Sequence, residues 1–189
     1  HDLIDEFGFG ILVSGALEGT HIPMVLHRNE GDYGVLYSHL SKANPHWKVL
    51  EGQEVLVIFS GPHSYISPSW YAHAPAVPTW NYAAVHALGT VALLDSEQTL
   101  AVVEEVVRQY EPALLVDRSI ITNEYRDKLL SGIVGFKVQL SSIQCKLKLG
   151  QQRAKDDQSG VYHALEHSAQ VDANQLARYM KKHGLGTGD

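Results

Sequence analysis

Hydrophobic and polar positions alternate over short distances in the first half of the chain, which is the pattern of β-strands. Apolar runs over Phe9–Ser14 and residues 54–60 are bordered by glycines and polar turns, so they predict buried strands. The apolar runs 21–27 and 33–39 flank a polar turn at 29–32, which predicts a β-hairpin. Further strands are predicted over residues 63–67, 82–94, 133–140 and 143–149.

Helical spacing begins only after residue 94. Asp95 is a predicted N-cap, and four apolar residues follow on one helical face that we expect in the core: Leu100, Val103, Val107 and Tyr110. Further helices are predicted over residues 122–131, 161–167 and 172–183, with Asp172 as the cap of the last and Gly184 as its end. About seven short strands followed by helices predict an α+β domain built on a small barrel or sandwich.

Composition narrows the class of protein. The 189 residues include 44% hydrophobic and 19% charged residues, which is globular, and the net charge of −6 disfavours nucleic-acid binding. The single cysteine excludes an intrachain disulfide and a cysteine-based zinc site. The first residues do not resemble a signal peptide, and the longest apolar run is too short to span a membrane, so we expect a cytoplasmic protein.

Candidate chemistry concentrates in three segments: residues 20–23, 38–47 and 61–81. In the second, the apolar strand ends at Leu40, and the turn that follows offers unpaired backbone N–H groups, hydroxyls and Lys42, a combination that suits a phosphate. The alternative is that Ser38 and Ser41 merely cap the turn. The third segment is a proline-rich aromatic loop, which either stacks on a flat ring system or packs against its own barrel or a partner subunit.

Motifs for other chemistries are missing from the sequence. There is no GxSxG, no P-loop, no GxGxxG after a strand and no HExxH, so a hydrolase or a nucleotide-triphosphate enzyme has no support, and we expect no metal site. The chain has 11 histidines, and for each of those near the three segments we expect a hydrogen-bonded structural role.

Six segments, in order, carry a resemblance to a known family. They are THIPMVL at 20–26, HLSKANPHW at 39–47, GPHSYISPSWY at 61–71, VPTWNYAAVHALG at 77–89, IVGFKV at 133–138 and KLGQQR at 148–153. Together they resemble the PaiB-like, FMN-binding negative transcriptional regulators of bacteria. The family commonly has glycine where this chain has Ser38, and KLSQN where this chain has KLGQQ.

The resemblance implies an α+β fold, mainly an antiparallel split β-barrel with peripheral helices, like that of pyridoxamine-phosphate oxidases. Residues 1–150 would form the FMN-binding barrel, and residues 151–189 a helical extension packed on it. FMN would lie at a homodimer interface, with its phosphate on residues 38–44. The cofactor-binding residues implied are Thr20, His21, Ser38, His39, Ser41, Lys42, Asn44, Trp70, Trp80 and Asn81.

Three functions are compatible with this family. The first is a flavoprotein that exchanges or senses redox equivalents, a class that includes FMN-dependent oxidoreductases. The second is a transcriptional regulator with DNA or another regulatory partner, although the chain is acidic and has no helix-turn-helix pattern. The third is a haem-binding or haem-degrading protein, which would need an exposed axial histidine such as His63 or His86.

Overall fold

The computed structural model describes residues 1–117 and 119–189, and seven strands in this part of the chain form one sheet. They are β1 (Phe9–Ser14), β2 (Gly19–Pro23), β3 (Val25–His27), β4 (Val35–Ser41), β5 (Glu54–Ile66), β6 (Thr79–Leu93) and β7 (Ile133–Lys148). Their order in the sheet is β2-β1-β5-β6-β7-β4-β3. The helices are α1 (Asp2–Glu6), α2 (Ser96–Tyr110), α3 (Ala113–Val116), α4 (Asn123–Leu130), α5 (Lys155–Glu166) and α6 (Val171–His183).

Antiparallel pairing follows the predicted hairpin and extends it. Strands β3 and β4 pair with Leu26 opposite Leu36, which confirms the hairpin, and β4 pairs in turn with β7. Strand β1 pairs with β2 on one side and with β5 on the other. The continuous ladder gives partners to the backbone groups of the inner strands, and this arrangement holds the end of β4 in a fixed place.

The strands differ from the prediction in three places. Two pairs of predicted strands are each one continuous strand, and one predicted strand is divided into two. Strand β5 continues through Gly61 and Pro62, which are both buried, and the alternation of buried and exposed residues shifts by one position there. Strand β7 likewise joins the two predicted strands at 133–140 and 143–149. The predicted strand 21–27 is divided at Met24, whose backbone N–H donates instead to the carbonyl of Gly8 at 2.8 Å.

The chain forms two compact units. The first is built from His1–Phe59 and Val85–Gln144, and the second from Ser60–Ala84 and Cys145–Asp189. Fully buried apolar side chains fill the first unit, among them Leu12, Leu36, Val57, Phe59, Phe136 and Val138, and the second, among them Ile66, Leu149, Leu165, Leu176 and Met180. Burial of such side chains, at about 2 kcal/mol each, is the main stabilising contribution within each unit. The division at residue 150 remains a prediction.

Helix α2 begins at the predicted cap but buries a different face. The Asp95 carboxylate accepts the backbone N–H of Gln98, and the Gln98 side chain accepts that of Asp95, forming a capping box. The predicted core face is wrong: it is half-buried, with Tyr110 62% exposed, and the buried residues are Thr99 and Val102. The cause is Gly135 on β7. A Cβ added there would lie 2.3 Å from the Thr99 hydroxyl, so the lack of a side chain at Gly135 allows the Thr99 face of the helix to pack closely on the strand.

The C-terminal helices differ from prediction at their starts. Helix α5 begins at Lys155, earlier than the predicted residue 161, because its first turns are polar and give no apolar periodicity. Asp172 is not the cap of α6: it lies inside the first turn, where its charge favours the positive end of the helix. Gly184 ends α6 with a positive φ of 61°, as predicted. Among the described residues, no helix combines the length and apolar character needed to cross a membrane.

Candidate functional site

The turn that follows β4, residues 42–50, is tied to β2 by a partly buried polar cluster in which His46 is fully buried. The hydroxyl of Thr20 lies 2.9 Å from Nδ1 of His46 and accepts a hydrogen bond from the Asn44 amide at 3.2 Å. The Asn44 side-chain oxygen in turn accepts the backbone N–H of His46 at 3.0 Å, which caps the 3-10 turn Pro45–Val49. The structure thus brings two predicted site residues, Thr20 and Asn44, into direct contact.

The backbone of this turn does not offer the free donors that the sequence predicts. The N–H of Lys42 donates to the carbonyl of Gly132 at 2.8 Å, and that of Ala43 to the Ser41 hydroxyl at 3.2 Å. The N–H of Asn44 donates to the carbonyl of Ser41 at 3.0 Å, and residue 45 is a proline. The prediction of unpaired N–H groups is therefore wrong, because the carbonyls of Gly132 and Ser41 and the Ser41 hydroxyl accept these hydrogen bonds. A phosphate here has to be bound mainly by side chains.

Ser41 and Lys42 are the side chains that remain available. Both are exposed, and no ion pair involves Lys42 among the described residues. Lys42 also lines a cavity of about 500 Å³ together with Asp95 and Asp127. Since two carboxylates repel an anion, the cavity itself is a poor phosphate site, and the open side chains of Ser41 and Lys42 are the better donors.

The strand before the turn carries two predicted residues with different surroundings. Ser38 is 1% exposed and its hydroxyl donates to the carbonyl of Pro23 at 2.6 Å, so this hydroxyl is already used within the chain. His39 is half-buried, and its Nδ1 is buried without a hydrogen-bond partner among the described residues. Burial lowers the pKa of the His39 imidazole, which keeps the ring neutral near pH 7. His21 is exposed, and its ring stacks beside that of Phe9 at 6.2 Å between centroids.

The three remaining predicted residues lie in the second unit. Trp80 on β6 is 48% exposed and lies near His63 and Tyr65 of β5, with ring centroids 5.9 Å and 6.3 Å away. These three side chains form an exposed aromatic surface. Trp70 is half-buried at the end of the 3-10 turn Pro68–Trp70, and Asn81 is buried. Of the predicted aromatic contacts, only Trp80 therefore presents a largely open ring.

A separate network of titratable side chains lies beside α2. The His27 imidazole contacts Glu105 of the helix at 2.8 Å, and the Tyr37 hydroxyl donates to Glu30 at 2.8 Å. Burial and the Glu30 carboxylate raise the pKa of Tyr37 to about 12, so the phenol stays protonated and acts as a donor. The network joins α2 to the β3–β4 hairpin, so we assign it a role in stabilising the fold.

Two groups of functional interest escaped the sequence reasoning. His46 lies in the second segment but is not among the predicted site residues, although Asn44-Pro45 directly before it is a turn signal, and its backbone N–H donates to the Asn44 side chain. His163, Glu166 and His167 follow one another at i, i+3 and i+4 at the end of α5, with His167 as its C-cap, and their side chains lie together. The HxxEH order resembles the HExxH motif, and a search for both orders would have found it.

Solved structures with a similar backbone define the class of protein. A FAD- and haem-binding protein of Mycobacterium smegmatis is 14% identical, with a TM-score of 0.57 over 78% of this chain and 68% of that one. A flavocytochrome, Anf3 of Azotobacter vinelandii, is 18% identical, with a TM-score of 0.55 over 77% of this chain and 64% of that one. At these identities the likeness shows the fold alone, and it confirms the predicted α+β split barrel.

Sequence comparison gives the family. The model of the family described as "Putative FMN-binding domain" matches residues 1–142, and the chain belongs to this family. "Protease synthase and sporulation protein PAI 2" of Bacillus subtilis is 34% identical over 188 residues, which cover 95% of this chain and 89% of that protein. The resemblance to PaiB-like proteins that the six segments carry is confirmed, and the cofactor that the family names is FMN.

The described residues fit such a cofactor in two respects. The buried Nδ1 of His39 has no hydrogen-bond partner in the part of the chain that the structure describes, which marks it as a polar atom that a ligand could satisfy. The exposed hydroxyl of Ser41 and ammonium of Lys42 are the donor types that hold a phosphate. When bound, FMN supplies the capacity to accept and return electrons, and the protein supplies binding and orientation.

Proposed function

We propose that the protein is a cytoplasmic flavoprotein that binds FMN at a homodimer interface and uses it for redox exchange or redox sensing. The observation that carries the proposal is the closed turn after β4, where the partly buried cluster around His46 fixes the backbone while Ser41 and Lys42 stay exposed. A fixed turn that carries an exposed hydroxyl and an exposed ammonium group favours anion binding, since its backbone does not have to be ordered on binding.

Each side chain has a distinct part in this proposal. Lys42 and Ser41 hold the phosphate through charge-assisted and neutral hydrogen bonds. His39 offers an uncharged imidazole, which bonds a flavin or phosphate oxygen when its unpaired nitrogen carries the proton. Thr20 and Asn44 act indirectly by anchoring the turn through His46. Ser38 has no part in it, because its hydroxyl is bonded to Pro23.

The exposed aromatic surface supports the dimer in the proposal. Trp80 and Tyr65 are 48% and 46% exposed, and large aromatic rings left open beside each other mark interaction surfaces. Two such surfaces related by a two-fold axis would cover each other or a flat ring system. Sedimentation of the full chain tests this directly: we expect a dimer at micromolar concentration, and a monomer in the presence of FMN contradicts it.

The cofactor is tested with two ligands that differ only in the phosphate. FMN and riboflavin are titrated into the full chain while quenching of flavin fluorescence is recorded. The exchange Lys42→Ala should weaken FMN binding by about 2 kcal/mol, or about thirtyfold, and leave riboflavin binding unchanged. Lys48→Ala is the matched control, because Lys48 is also exposed and lies in the same turn.

Three results would contradict the proposal. They are no binding of FMN by the unaltered chain, equal losses of affinity for Lys42→Ala and Lys48→Ala, or equal losses of affinity for FMN and riboflavin.

The haem alternative is tested on the same samples, because His63 and His86 are both exposed. A Soret band on addition of haem that disappears in His63→Ala or His86→Ala, without FMN binding, would favour haem over flavin. DNA retained in a low-salt gel shift would favour the regulator.

A further inference from the structure

The end of helix α5 brings three metal-binding side chains together. His163, Glu166 and His167 each offer one ligand atom, and these atoms all lie within 4.8 Å of one another. The two imidazole rings face the same side, with centroids 4.2 Å apart. All three side chains are exposed, so an ion can reach them without any opening of the fold.

Hydrogen bonds already set the orientation that metal binding needs. Nδ1 of His167 lies 2.9 Å from the carbonyl of His163, and since a carbonyl only accepts, Nδ1 carries the proton. The other ring nitrogen, Nε2, is then the one with a free lone pair. The Glu166 carboxylate accepts the Tyr162 hydroxyl at 2.9 Å through one oxygen, which leaves the second oxygen open. Supporting bonds of this kind around the ligands are usual in metal sites.

The surrounding charges favour a cation. The triad lies at the C-terminal end of α5, where the helix dipole is negative and carbonyl groups lack partners within the helix. Arg178 and Lys181 of α6 line a pocket with Glu166, but no described cation lies within ion-pair distance of its carboxylate. Among the described residues the carboxylate therefore has no counter-ion, and it remains available to a metal.

We propose that His163, Glu166 and His167 bind a divalent transition metal ion, with two nitrogen ligands and one oxygen ligand from the protein. Imidazole and carboxylate together suit Zn²⁺, Ni²⁺ and Cu²⁺, whereas Ca²⁺ and Mg²⁺ prefer oxygen alone. The site is formed by the last turn of α5 and its C-cap residue, and it is independent of the flavin proposal. The HxxEH order also occurs in zinc peptidases, but all three side chains are exposed here, which favours binding without hydrolysis.

The test uses the full chain purified without a polyhistidine tag. Zn²⁺ is titrated in by calorimetry, and Mg²⁺ is titrated in parallel as the ion that the site should reject. We expect one Zn²⁺ per chain, and at least a tenfold loss of affinity in His163→Ala, His167→Ala and Glu166→Gln, on the order of what loss of supporting residues costs metal sites. His86→Ala is the matched control, because it removes an exposed histidine outside the triad.

A second measurement separates lost ligands from lost folding. Zn²⁺ bound to the native chain raises its melting temperature, and the rise should be absent in the double variant H163A/H167A while its melting temperature without metal is unchanged. The proposal is overturned if the three triad variants bind Zn²⁺ as tightly as the unaltered chain, or if Mg²⁺ binds equally well. FMN binding should be the same in all these variants, so a failure here leaves the flavin proposal untouched.

Discussion

Two regions of this molecule use histidine in opposite ways. His46, in the turn after β4, is 0% exposed and bonded to Thr20, whereas His163 and His167 at the end of α5 are exposed. The first imidazole is part of the packing of its unit, so its chemistry cannot change without changing stability. The second pair is supported by its helix but contributes little to packing. The turn after β4 is thus held in place by buried contacts, whereas the side chains at the end of α5 lie on the surface and are not needed for packing.

Burial of His46 has a free-energy cost that does not arise for the exposed residues His163, Glu166 and His167. Nε2 of His46 is buried without a partner among the described residues, and such an atom costs about 1–3 kcal/mol. The bonds of His46 Nδ1 and its backbone N–H offset part of this cost. A fold that tolerates the cost gains a rigid turn beside Ser41 and Lys42. Rigidity at this place is what an anion site requires.

The largest expected effect is on stability. His46→Ala removes a fully buried ring and leaves the Thr20 hydroxyl without one of its partners, so we expect a loss of about 3 kcal/mol in the free energy of unfolding. His167→Ala removes an exposed ring and should change this free energy by about 0.5 kcal/mol or less. Urea unfolding followed by circular dichroism measures both.

Similar losses of unfolding free energy in the two variants would contradict this difference between the two regions. If His167→Ala costs as much as His46→Ala, the helix end is a packing element and the triad is not free to serve a ligand. If neither variant loses stability, the cluster around His46 does not hold the turn, and the preorganised phosphate site loses its basis. Near-ultraviolet circular dichroism shows whether His46→Ala remains folded at the outset.

The sequence predicted the regular parts of this fold well, for physical reasons that the exceptions make clear. The strand at Phe9–Ser14, the hairpin and the Asp95 cap follow from local alternation and turn chemistry. The buried face of α2 did not, because Gly135 on a distant strand decides it, and local periodicity carries no record of that contact. The predicted phosphate donors failed in the same way: partners such as the carbonyl of Gly132 are far along the chain.

The next effect compares two asparagines that support the two regions. Asn44 caps the 3-10 turn and bonds Thr20, and Asn174 of α6 donates to the carbonyls of Leu165, Glu166 and Ser168 at the end of α5. Each exchange to alanine should cost about 1 kcal/mol, the value of a lost cap. Asn44→Ala should also weaken FMN binding, and Asn174→Ala should weaken Zn²⁺ binding, without the converse effects.

Fluorescence titration with FMN and calorimetry with Zn²⁺ on the same two variants measure these effects. The crossed design matters because each variant is the control for the other. If Asn44→Ala weakened Zn²⁺ binding as much as FMN binding, the losses would reflect general destabilisation. Equal stability with selective loss of one ligand would show that each asparagine positions the side chains beside it.

The smallest effect concerns pH and the half-buried His39. Burial lowers the pKa of its imidazole in the folded chain, so between the unfolded pKa of about 6.5 and the lower folded value the unfolded chain binds more protons. Stability should therefore fall as the pH drops through this window. Unfolding free energies measured at about pH 7.5 and about pH 5.5 in the unaltered chain and in His39→Gln isolate the contribution, since glutamine keeps a polar group but does not titrate. A fall of the same size in both proteins would mean that His39 is not held neutral by burial, and that the uncharged imidazole proposed to face the flavin is not present.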